Sequence, residues 1–312
     1  MTVKINECSY DDNFPVRLDS YLSERFSYLS RSSWQKEIKS GRILINSTPC
    51  FLSSLLLKKG DLIKFTAEEK EEPPVDFSYK ILYEDSFFIA VQKSGDMPVH
   101  PAGKYFQNTL LYILEKEYSA KLFPAHRIDR ETSGIILFAK NPQTAAKLQD
   151  EISKGQKTYT AIVRGKTPSE FENSTSIGDS PENMSTVRKK RFAGKDGTEK
   201  AHTSFRTVFS FGDFSFIKAF PETGRLHQIR VHLENSGFPI VGDKIYGGDD
   251  SLFVRFINEG MTPELEKKLL MKRCALHAAS IEIKHPDNGK YIKINSPLPE
   301  DFINFIKRQR NG

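Results

Sequence analysis

Residues 126–134, with the sequence HRIDRETSG, run directly into the apolar segment 135–139, IILFA. This arrangement constrains the fold because the apolar run predicts a buried strand and Thr-Ser-Gly predicts a tight turn before it. Asp129 lies at that turn, between Arg127 and Arg130. A carboxylate held rigidly at the start of a buried strand is typical of a catalytic side chain, but the pattern is equally typical of a surface ion pair. The segment alone leaves both interpretations open.

The composition indicates a globular, basic protein of the cytoplasm. Hydrophobic residues make up 38% of the 312 residues, and no apolar stretch approaches the roughly 20 residues that cross a bilayer. Residues 1–7 lack the form of a secretory signal. The three cysteines, Cys8, Cys50 and Cys274, lack the spacing of a disulfide framework or zinc site. We expect no metal and no membrane contact, and the formal net charge of +6 suggests a polyanionic partner.

The charge distribution divides the chain into two modules. Residues 14–66 carry nine lysines and arginines against four acidic residues, whereas residues 68–74 read EEKEEPP. An acidic, proline-terminated stretch after a basic region is typical of a solvated linker. We therefore predict a small domain over residues 14–70, a linker over 71–78 and a large domain over 79–308.

The first module resembles the alpha-L RNA-binding domain, known from a ribosomal protein. The resemblance rests on RLDxxL at Arg17, SRS around Arg31, GRIxIN from Gly41 and LKKGD from Leu57. It implies a small α/β fold that presents basic side chains to the phosphates of folded RNA. The candidate RNA contacts are Arg31, Lys36, Lys39 and Arg42. A charged helix face is also the ordinary condition of a solvated surface.

In the second module, strand and helix patterns mix without a strict βαβ rhythm, which favours an α+β fold with a mainly antiparallel sheet. Four motifs occur in order: HRIDRETSG, KxYxAxVxG from Lys157, TGRLHQIRVHL from Thr223 and PIVGD from Pro239. Together they resemble the RluA-type pseudouridine synthases over about residues 80–305. The resemblance implies the pseudouridine synthase fold, a mainly antiparallel mixed central sheet with flanking helices.

The same resemblance assigns candidate site residues by motif position. The catalytic aspartate of the family falls on Asp129, the active-site tyrosine on Tyr159 and the active-site arginine on Arg230. The arginine that fills the space left by the extruded base falls on Arg127. Without the resemblance, Tyr159 reads as an ordinary core residue and Arg230 as a helix-surface arginine.

Some positions depart from the family pattern. Ile128 stands where leucine is common, and Leu226 where threonine or serine is common. Gln92 and Ser94 flank Lys93 in the strand that usually carries Asn-Lys-Pro. None of these differences removes a catalytic group.

The reaction implied by the resemblance breaks the glycosidic bond of uridine, turns the base and joins the sugar to carbon-5 of the ring. This isomerisation needs no cofactor, redox change or metal. Asp129 would attack the anomeric carbon or remove a sugar proton, and the sequence does not choose between these routes. Arg230 would keep the carboxylate ionised, Tyr159 would stack on the base and Arg127 would offset the cost of flipping the nucleotide.

Other conspicuous residues receive less specific interpretations. His126, His227 and His277 lie beside turns or a helix start, and we expect structural hydrogen bonds from them. The basic loop at residues 187–191 is interpreted either as a phosphate contact or as a mobile solvated segment.

The sequence therefore predicts an RNA pseudouridine synthase that acts on structured RNA, first large-subunit ribosomal RNA and second transfer RNA. A noncatalytic RNA-binding or ribosome-assembly factor and an RNA N-glycosylase are the alternatives. No partner subunit is needed to complete the predicted pocket, so we expect a monomer.

Overall fold

The computed structural model describes residues 4–26, 31–67, 72–179 and 190–311. The chain divides into two compact units. The first unit contains Met1–Pro74 and His100–Tyr112, and the second contains Val75–Val99 and Ile113–Gly312. Each unit is described by itself.

The first unit contains a four-stranded antiparallel sheet in the order β1-β6-β3-β4 and a separate antiparallel pair, β2 and β5. Two helices pack against each other beside the sheet, with Leu22, Trp34 and Ile38 fully buried between them and the strands. The elements are β1 (Lys4–Ser9), β2 (Val16–Arg17), α1 (Leu18–Arg25), α2 (Arg31–Lys39), β3 (Ile43–Ile45), β4 (Thr48–Cys50), β5 (Leu56–Leu57) and β6 (Leu62–Ala67).

Glu72, which the sequence places in the predicted linker, anchors a loop of the first unit. Its carboxylate accepts hydrogen bonds from the backbone N–H groups of Phe106, Gln107 and Asn108. Three donors on one carboxylate fix this part of the loop by charge-assisted hydrogen bonds. Shortly after them begins α3 (Leu110–Tyr118), whose residues are divided between the two units.

The second unit is built on a ten-stranded sheet in the order β12-β15-β16-β11-β17-β10-β8-β7, with β18 paired to β17 and β9 to β10. All of these pairs are antiparallel except β10 with β17, which confirms the predicted mainly antiparallel mixed sheet. The strands are β7 (Tyr79–Glu84), β8 (Phe88–Lys93), β9 (Phe123–Pro124), β10 (Ser133–Ala139), β11 (Gln156–Arg164), β12 (Glu170–Asn173), β13 (Ile177–Asp179), β14 (Arg191–Ala193), β15 (Thr203–Phe211), β16 (Phe214–Pro221), β17 (Leu276–Lys284) and β18 (Tyr291–Asn295). The helices are α4 (Pro142–Lys154), α5 (Gln228–Asn235), α6 (Ser251–Glu259), α7 (Pro263–Leu269) and α8 (Glu300–Asn311).

The centre of this sheet positions the predicted site. Every residue of β10 is buried, as the apolar run predicts. Gly134 pairs with Ala278 of the parallel strand β17, at a φ of 107°, and a Cβ there would lie 2.3 Å from the carbonyl oxygen of Ala278. Only glycine fits this close approach. Tyr159 of β11 pairs with the same Ala278. The start of β10 and the middle of β11 therefore flank Ala278 of β17 on its two sides.

Across the described parts of the chain, no helix combines the length and the apolar character needed to span a membrane. Within the same residues, no group of three or more His, Cys, Asp or Glu side chains is arranged to hold a metal ion.

Candidate active site

A small open cavity of about 100 Å³ lies in the second unit, at the start of β10. Its lining includes all four candidate residues that the motifs placed in this module, namely Arg127, Asp129, Tyr159 and Arg230. Three elements supply them: the turn before β10, strand β11 and helix α5. Asp129 and Arg230, which are 101 positions apart in the chain, thus face one space.

Asp129 belongs to the tight turn that leads into β10, closed by a hydrogen bond from the N–H of Thr132 to the carbonyl oxygen of Asp129. About a quarter of its side chain, 26%, is exposed. One carboxylate oxygen, Oδ2, accepts a hydrogen bond of 2.8 Å from NH1 of Arg230. The carboxylate therefore has a permanent cation on one side and the cavity on the other.

Arg230 is buried, with 8% of its side chain exposed, which excludes the interpretation as a helix-surface arginine. Its Nε and NH2 donate to the two oxygens of Asp243 at 2.7 and 2.8 Å, and NH1 remains for Asp129. The ring of Tyr246 lies 4.9 Å from the guanidinium carbon. Burial alone would lower the pKa of Arg230, but the charge and hydrogen bonds of Asp243, together with Asp129, raise the pKa well above its usual value.

Asp243 holds Arg230 in place and was not among the sequence candidates. Its carboxylate is fully buried and also accepts hydrogen bonds from the N–H groups of Ile245 and Tyr246. Burial would raise the pKa of Asp243, and the Arg230 cation lowers it below the usual value. The sequence signal that could have pointed to Asp243 was the PIVGD motif. Its Gly242 has a φ of 76°, and a Cβ there would lie 2.0 Å from the carbonyl oxygen of Arg273, so the turn before Asp243 requires glycine.

Tyr159 is half-buried on β11, with its body against the main core of the second unit. Burial, followed by the negative charge of Asp129, raises the pKa of Tyr159 to about 12. The phenol is therefore protonated at neutral pH. Arg127 is exposed at the rim of the cavity, in a position that solvent and a large ligand can reach.

The three predicted structural histidines differ in their surroundings. His126 accepts a hydrogen bond from the N–H of Leu137, and His277 bonds Ser133, so both connect β10 to its neighbourhood as expected. His227 instead lines the cavity, immediately before α5 and with a φ of 59°. Its Nδ1 lies 2.9 Å from the hydroxyl of Tyr246 and its Nε2 lies 3.9 Å from Oδ2 of Asp129.

The structure describes two residues of the basic loop, and both form ion pairs within the protein. Lys190 pairs with Asp250 at 3.0 Å and Glu234 at 3.5 Å, and 17% of its side chain is exposed. Arg191 pairs with Asp179 at 2.6 Å and also with Glu199, and 13% of its side chain is exposed. Acidic side chains of the same unit thus contact both charges, and the phosphate contact remains a prediction. Residues 187–189 lie outside the described residues.

The four candidate RNA contacts of the first unit fall into two kinds. Lys36 and Lys39 are exposed on α2. Arg31 reaches the buried carboxylate of Asp19 at 3.2 Å and keeps half of its side chain exposed. Arg42, about a third exposed, forms an ion pair with Glu37. All four remain at the surface, and Arg31 and Arg42 each also hold a carboxylate of the first unit.

Comparisons with known proteins find related sequences and a related fold. The sequence model of a family described as RNA pseudouridylate synthase matches residues 87–235, a range that contains Asp129, Tyr159 and Arg230. A protein of Chlorobaculum parvum named "uncharacterized RNA pseudouridine synthase" is 35% identical, over 95% of this chain and 94% of that protein. The ribosomal large subunit pseudouridine synthase D of Neisseria meningitidis serogroup A is 30% identical, over 93% and 78%. The solved structure of human RNA pseudouridylate synthase domain containing 4 has the same fold, with a TM-score of 0.58 and 24% identity over 74% of this chain and 92% of that one.

Proposed function

The chain belongs to the RluA-type family of RNA pseudouridine synthases, and from this premise we propose that it isomerises uridines of large-subunit ribosomal RNA, with Asp129 as the catalytic carboxylate. The observation that carries the proposal is the ion pair of Asp129 with the buried Arg230, at 2.8 Å, on the wall of an open cavity. The fixed guanidinium balances the negative charge of the carboxylate and sets its direction, and both possible routes use that anion. Whether it attacks the anomeric carbon or removes a sugar proton, Asp129 acts as the anion.

Arg230 positions Asp129 in this mechanism. Its guanidinium is fixed by two hydrogen bonds to Asp243, so the third N–H group holds one oxygen of Asp129 in a defined direction. The other oxygen of Asp129 is left for the sugar. A preorganised charge pair costs little reorganisation when the glycosidic bond breaks.

Tyr159 and Arg127 act on the nucleotide around that centre. The ring of Tyr159, whose phenol is neutral, offers a flat face for the extruded uracil. Stacking of a base on an aromatic ring is worth about 1 to 3 kcal/mol in comparable proteins. Arg127, exposed at the rim, is placed to enter the RNA stack that the base leaves. Such an insertion offsets a flipping cost of a few kcal/mol.

The RNA partner is inferred from the relatives and from the basic first module. The printed name of the Neisseria relative states that it acts on the ribosomal large subunit. We assign residues 14–70 to RNA binding through Arg31, Lys36, Lys39 and Arg42, and residues 79–308 to catalysis. Arg127, Asp129, Tyr159 and Arg230 line one cavity within a single subunit, and we propose that the protein acts as a monomer; its location in the cytoplasm remains a prediction from the sequence.

The decisive experiment follows tritium on carbon-5 of uracil, which the new glycosidic bond displaces. Large-subunit ribosomal RNA transcribed with tritiated uridine is incubated with the wild-type protein, Asp129→Asn and the matched exposed variant Asp287→Asn. We expect label release from the wild type and Asp287→Asn, and a loss of about 10³-fold or more for Asp129→Asn, because the reactive anion is gone. Equal release by the wild type and Asp129→Asn would refute the proposal.

Two further measurements separate the alternatives. Mass spectrometry of the treated RNA shows unchanged mass for isomerisation and free uracil for an N-glycosylase. Mapping of pseudouridines in cells with and without the protein identifies the target, and sites confined to transfer RNA would replace the ribosomal assignment.

A further inference from the structure

A chain of hydrogen bonds fixes the ring of His227 at the cavity. The backbone N–H of Arg191 donates to the hydroxyl oxygen of Tyr246 at 2.8 Å. That hydroxyl lies 2.9 Å from Nδ1 of His227. Tyr246 is fully buried, so its hydroxyl hydrogen needs an acceptor inside the protein.

This chain determines which nitrogen of His227 carries the proton. Because the hydroxyl oxygen of Tyr246 already accepts from Arg191, its hydrogen is free to point at Nδ1 of His227. Nδ1 then accepts, and in a neutral imidazole the other nitrogen must carry the hydrogen. Burial, with a smaller effect of the Arg230 charge, lowers the pKa of His227 to about 4, so the ring is neutral at neutral pH.

The resulting Nε2–H group is directed at the reacting region. Nε2 lies 3.9 Å from Oδ2 of Asp129, which is too long for a hydrogen bond. That oxygen is already bound by Arg230. Within the described parts of the chain, Nε2 of His227 has no hydrogen-bond acceptor, although His227 lines the cavity. A donor of known direction is thus available beside the catalytic carboxylate.

We propose that the Nε2–H of His227 binds the uracil carbonyl oxygen next to the glycosidic bond. This assignment rests on the proposed function, since it takes the target nucleotide to enter the cavity with its anomeric carbon near Asp129. In uridine the carbonyl nearest to that carbon is at ring position 2. When the bond to nitrogen breaks, the electron pair passes to the base, and part of the negative charge resides on this oxygen.

The symmetry of the uracil ring gives the same donor a second use. Pseudouridine forms when the detached base turns by half a revolution about the axis through ring positions 3 and 6. This turn exchanges nitrogen-1 with carbon-5 and the carbonyl at position 2 with the carbonyl at position 4. One fixed N–H group therefore holds a carbonyl oxygen in the same place before and after the turn, and retains the free base between the two steps. As a neutral donor it leaves the charge of Asp129 unchanged.

The first test observes the proton itself in the free, full-length protein. Two-bond nitrogen–proton correlation spectra of the histidine-labelled protein distinguish the two neutral tautomers, and His227→Gln identifies the signal. We expect Nε2–H for His227 in the wild type and a mixture of tautomers in Tyr246→Phe, which keeps the ring beneath Arg230 and removes only the hydroxyl. An Nδ1–H tautomer in the wild type would overturn the inference.

The second test compares His227→Gln with His227→Met in single-turnover tritium release from transcribed large-subunit ribosomal RNA. Both replacements are unbranched and share the cost of the φ of 59°, but only glutamine places an N–H donor near the position of Nε2. We expect His227→Met to lose about 10²-fold in rate, as when one donor to a developing oxyanion is removed, with little change in RNA affinity by filter binding. His227→Gln should recover at least about tenfold of that loss.

The outcomes separate this inference from the proposed function. The donor assignment fails and the proposed function stands if Asp129→Asn is inactive while both His227 variants keep the wild-type rate of tritium release. The same conclusion follows if both His227 variants lose rate equally. If Asp129→Asn is as active as the wild type, the proposed function fails and the inference fails with it.

Discussion

Each unit contains a cluster of arginine and aspartate side chains, and the buried residue at the centre has opposite charge in the two clusters. In the second unit one buried guanidinium, Arg230, holds two carboxylates, and Asp129 is the member that remains partly exposed. In the first unit one fully buried carboxylate, Asp19, holds Arg17 and Arg31, whose side chains remain 45% and 50% exposed. In each cluster a buried side chain positions a partly exposed partner. The second unit therefore presents an anion to a cavity, and the first presents cations to the surface.

The opposite charges of the two exposed groups correspond to the two tasks proposed for the protein. Chemistry at one sugar carbon needs a single carboxylate in one defined geometry, so the group that orients Asp129 is itself fixed by Asp243. RNA phosphates need positive charge at the surface and tolerate variation in its placement. We therefore expect the catalytic cluster to be sensitive to geometry and the first-unit cluster to be sensitive to charge.

The largest effect is expected from Asp243→Asn. This change keeps the shape of the side chain but leaves the buried Arg230 with only the partly exposed Asp129 as a charged partner. Breaking a buried ion pair from one side costs about 3 to 5 kcal/mol of stability. A displaced guanidinium should also lower the single-turnover rate by about 10²-fold or more. Urea unfolding and tritium release measure the two effects, with Asp287→Asn as the exposed control.

A wild-type rate in Asp243→Asn would contradict the role assigned to Asp243 in the catalytic cluster. It would mean that Arg230 orients Asp129 without help from the second carboxylate. A stability loss without a change in rate would assign Asp243 to folding alone.

Lysine substitutions at Arg230 and Arg31 provide the next test because they preserve charge and change geometry. A lysine at 230 cannot span both carboxylates as the planar guanidinium does. We expect Arg230→Lys to lower the rate by about 10²-fold. Arg31→Lys keeps a half-exposed charge and should change the RNA dissociation constant by less than about threefold. Equal losses in the two variants, in filter binding and tritium release, would contradict the assignment of geometry to one cluster and charge to the other.

Another buried cation extends the comparison because it lacks a carboxylate partner within the described residues. Lys93 is fully buried, and its Nζ donates to the carbonyl oxygens of Ser94 and Arg130. Among the described residues, no carboxylate lies within ion-pair distance of that nitrogen. Burial, with the nearby charge of Arg273, lowers the pKa of Lys93 to about 7, whereas Arg230 keeps its charge.

This difference predicts a pH dependence of stability. Between pH 7 and about 10 the unfolded chain binds a proton on Lys93 that the folded chain has released. The free energy of unfolding should therefore rise with pH in this range, by up to about 1.4 kcal/mol for each pH unit from this group. Lys93→Met should lack that rise, which urea unfolding at pH 7, 8 and 9 followed by circular dichroism can measure. Parallel pH profiles for the wild type and Lys93→Met would show that Lys93 stays charged when buried.

The central strand was predictable from the sequence because its signal is local. The apolar run at residues 135–139 predicts β10, every residue of which is buried. The residues of the cavity were placed by the resemblance, since no periodicity relates Asp129 to Arg230. Helix α5 shows why: all six residues from Gln228 to Leu233 are buried, so no amphipathic pattern marks the face that carries Arg230. Helix α6 is the opposite case: it is amphipathic, with one apolar and one polar face, but none of its residues is buried.

The supporting residues could not be predicted because their roles depend on contacts between distant segments. Asp243 reads as one letter of a motif, and its function follows only from two hydrogen bonds to Arg230. His227 reads as a residue beside a helix start, and the direction of its proton follows from Tyr246 and the backbone of Arg191. The two arginine–aspartate clusters likewise could not be compared before their burial was known.

A small effect on RNA binding is expected from Lys36→Gln combined with Lys39→Gln, which removes charge from the first unit and leaves its arginine–aspartate cluster intact. Both side chains are exposed on α2 and outside the hydrogen bonds of Asp19. If each lysine contacts a phosphate, the double variant should bind RNA less than about tenfold more weakly, and the slope of affinity against salt should fall by roughly one for each lysine. Filter binding over a series of salt concentrations measures both quantities, with Lys290→Gln plus Lys293→Gln as a charge-matched control from the second unit. An unchanged salt slope would show that these lysines form a solvated face, and would leave Arg31 and Arg42 as the remaining candidate phosphate contacts of the first unit.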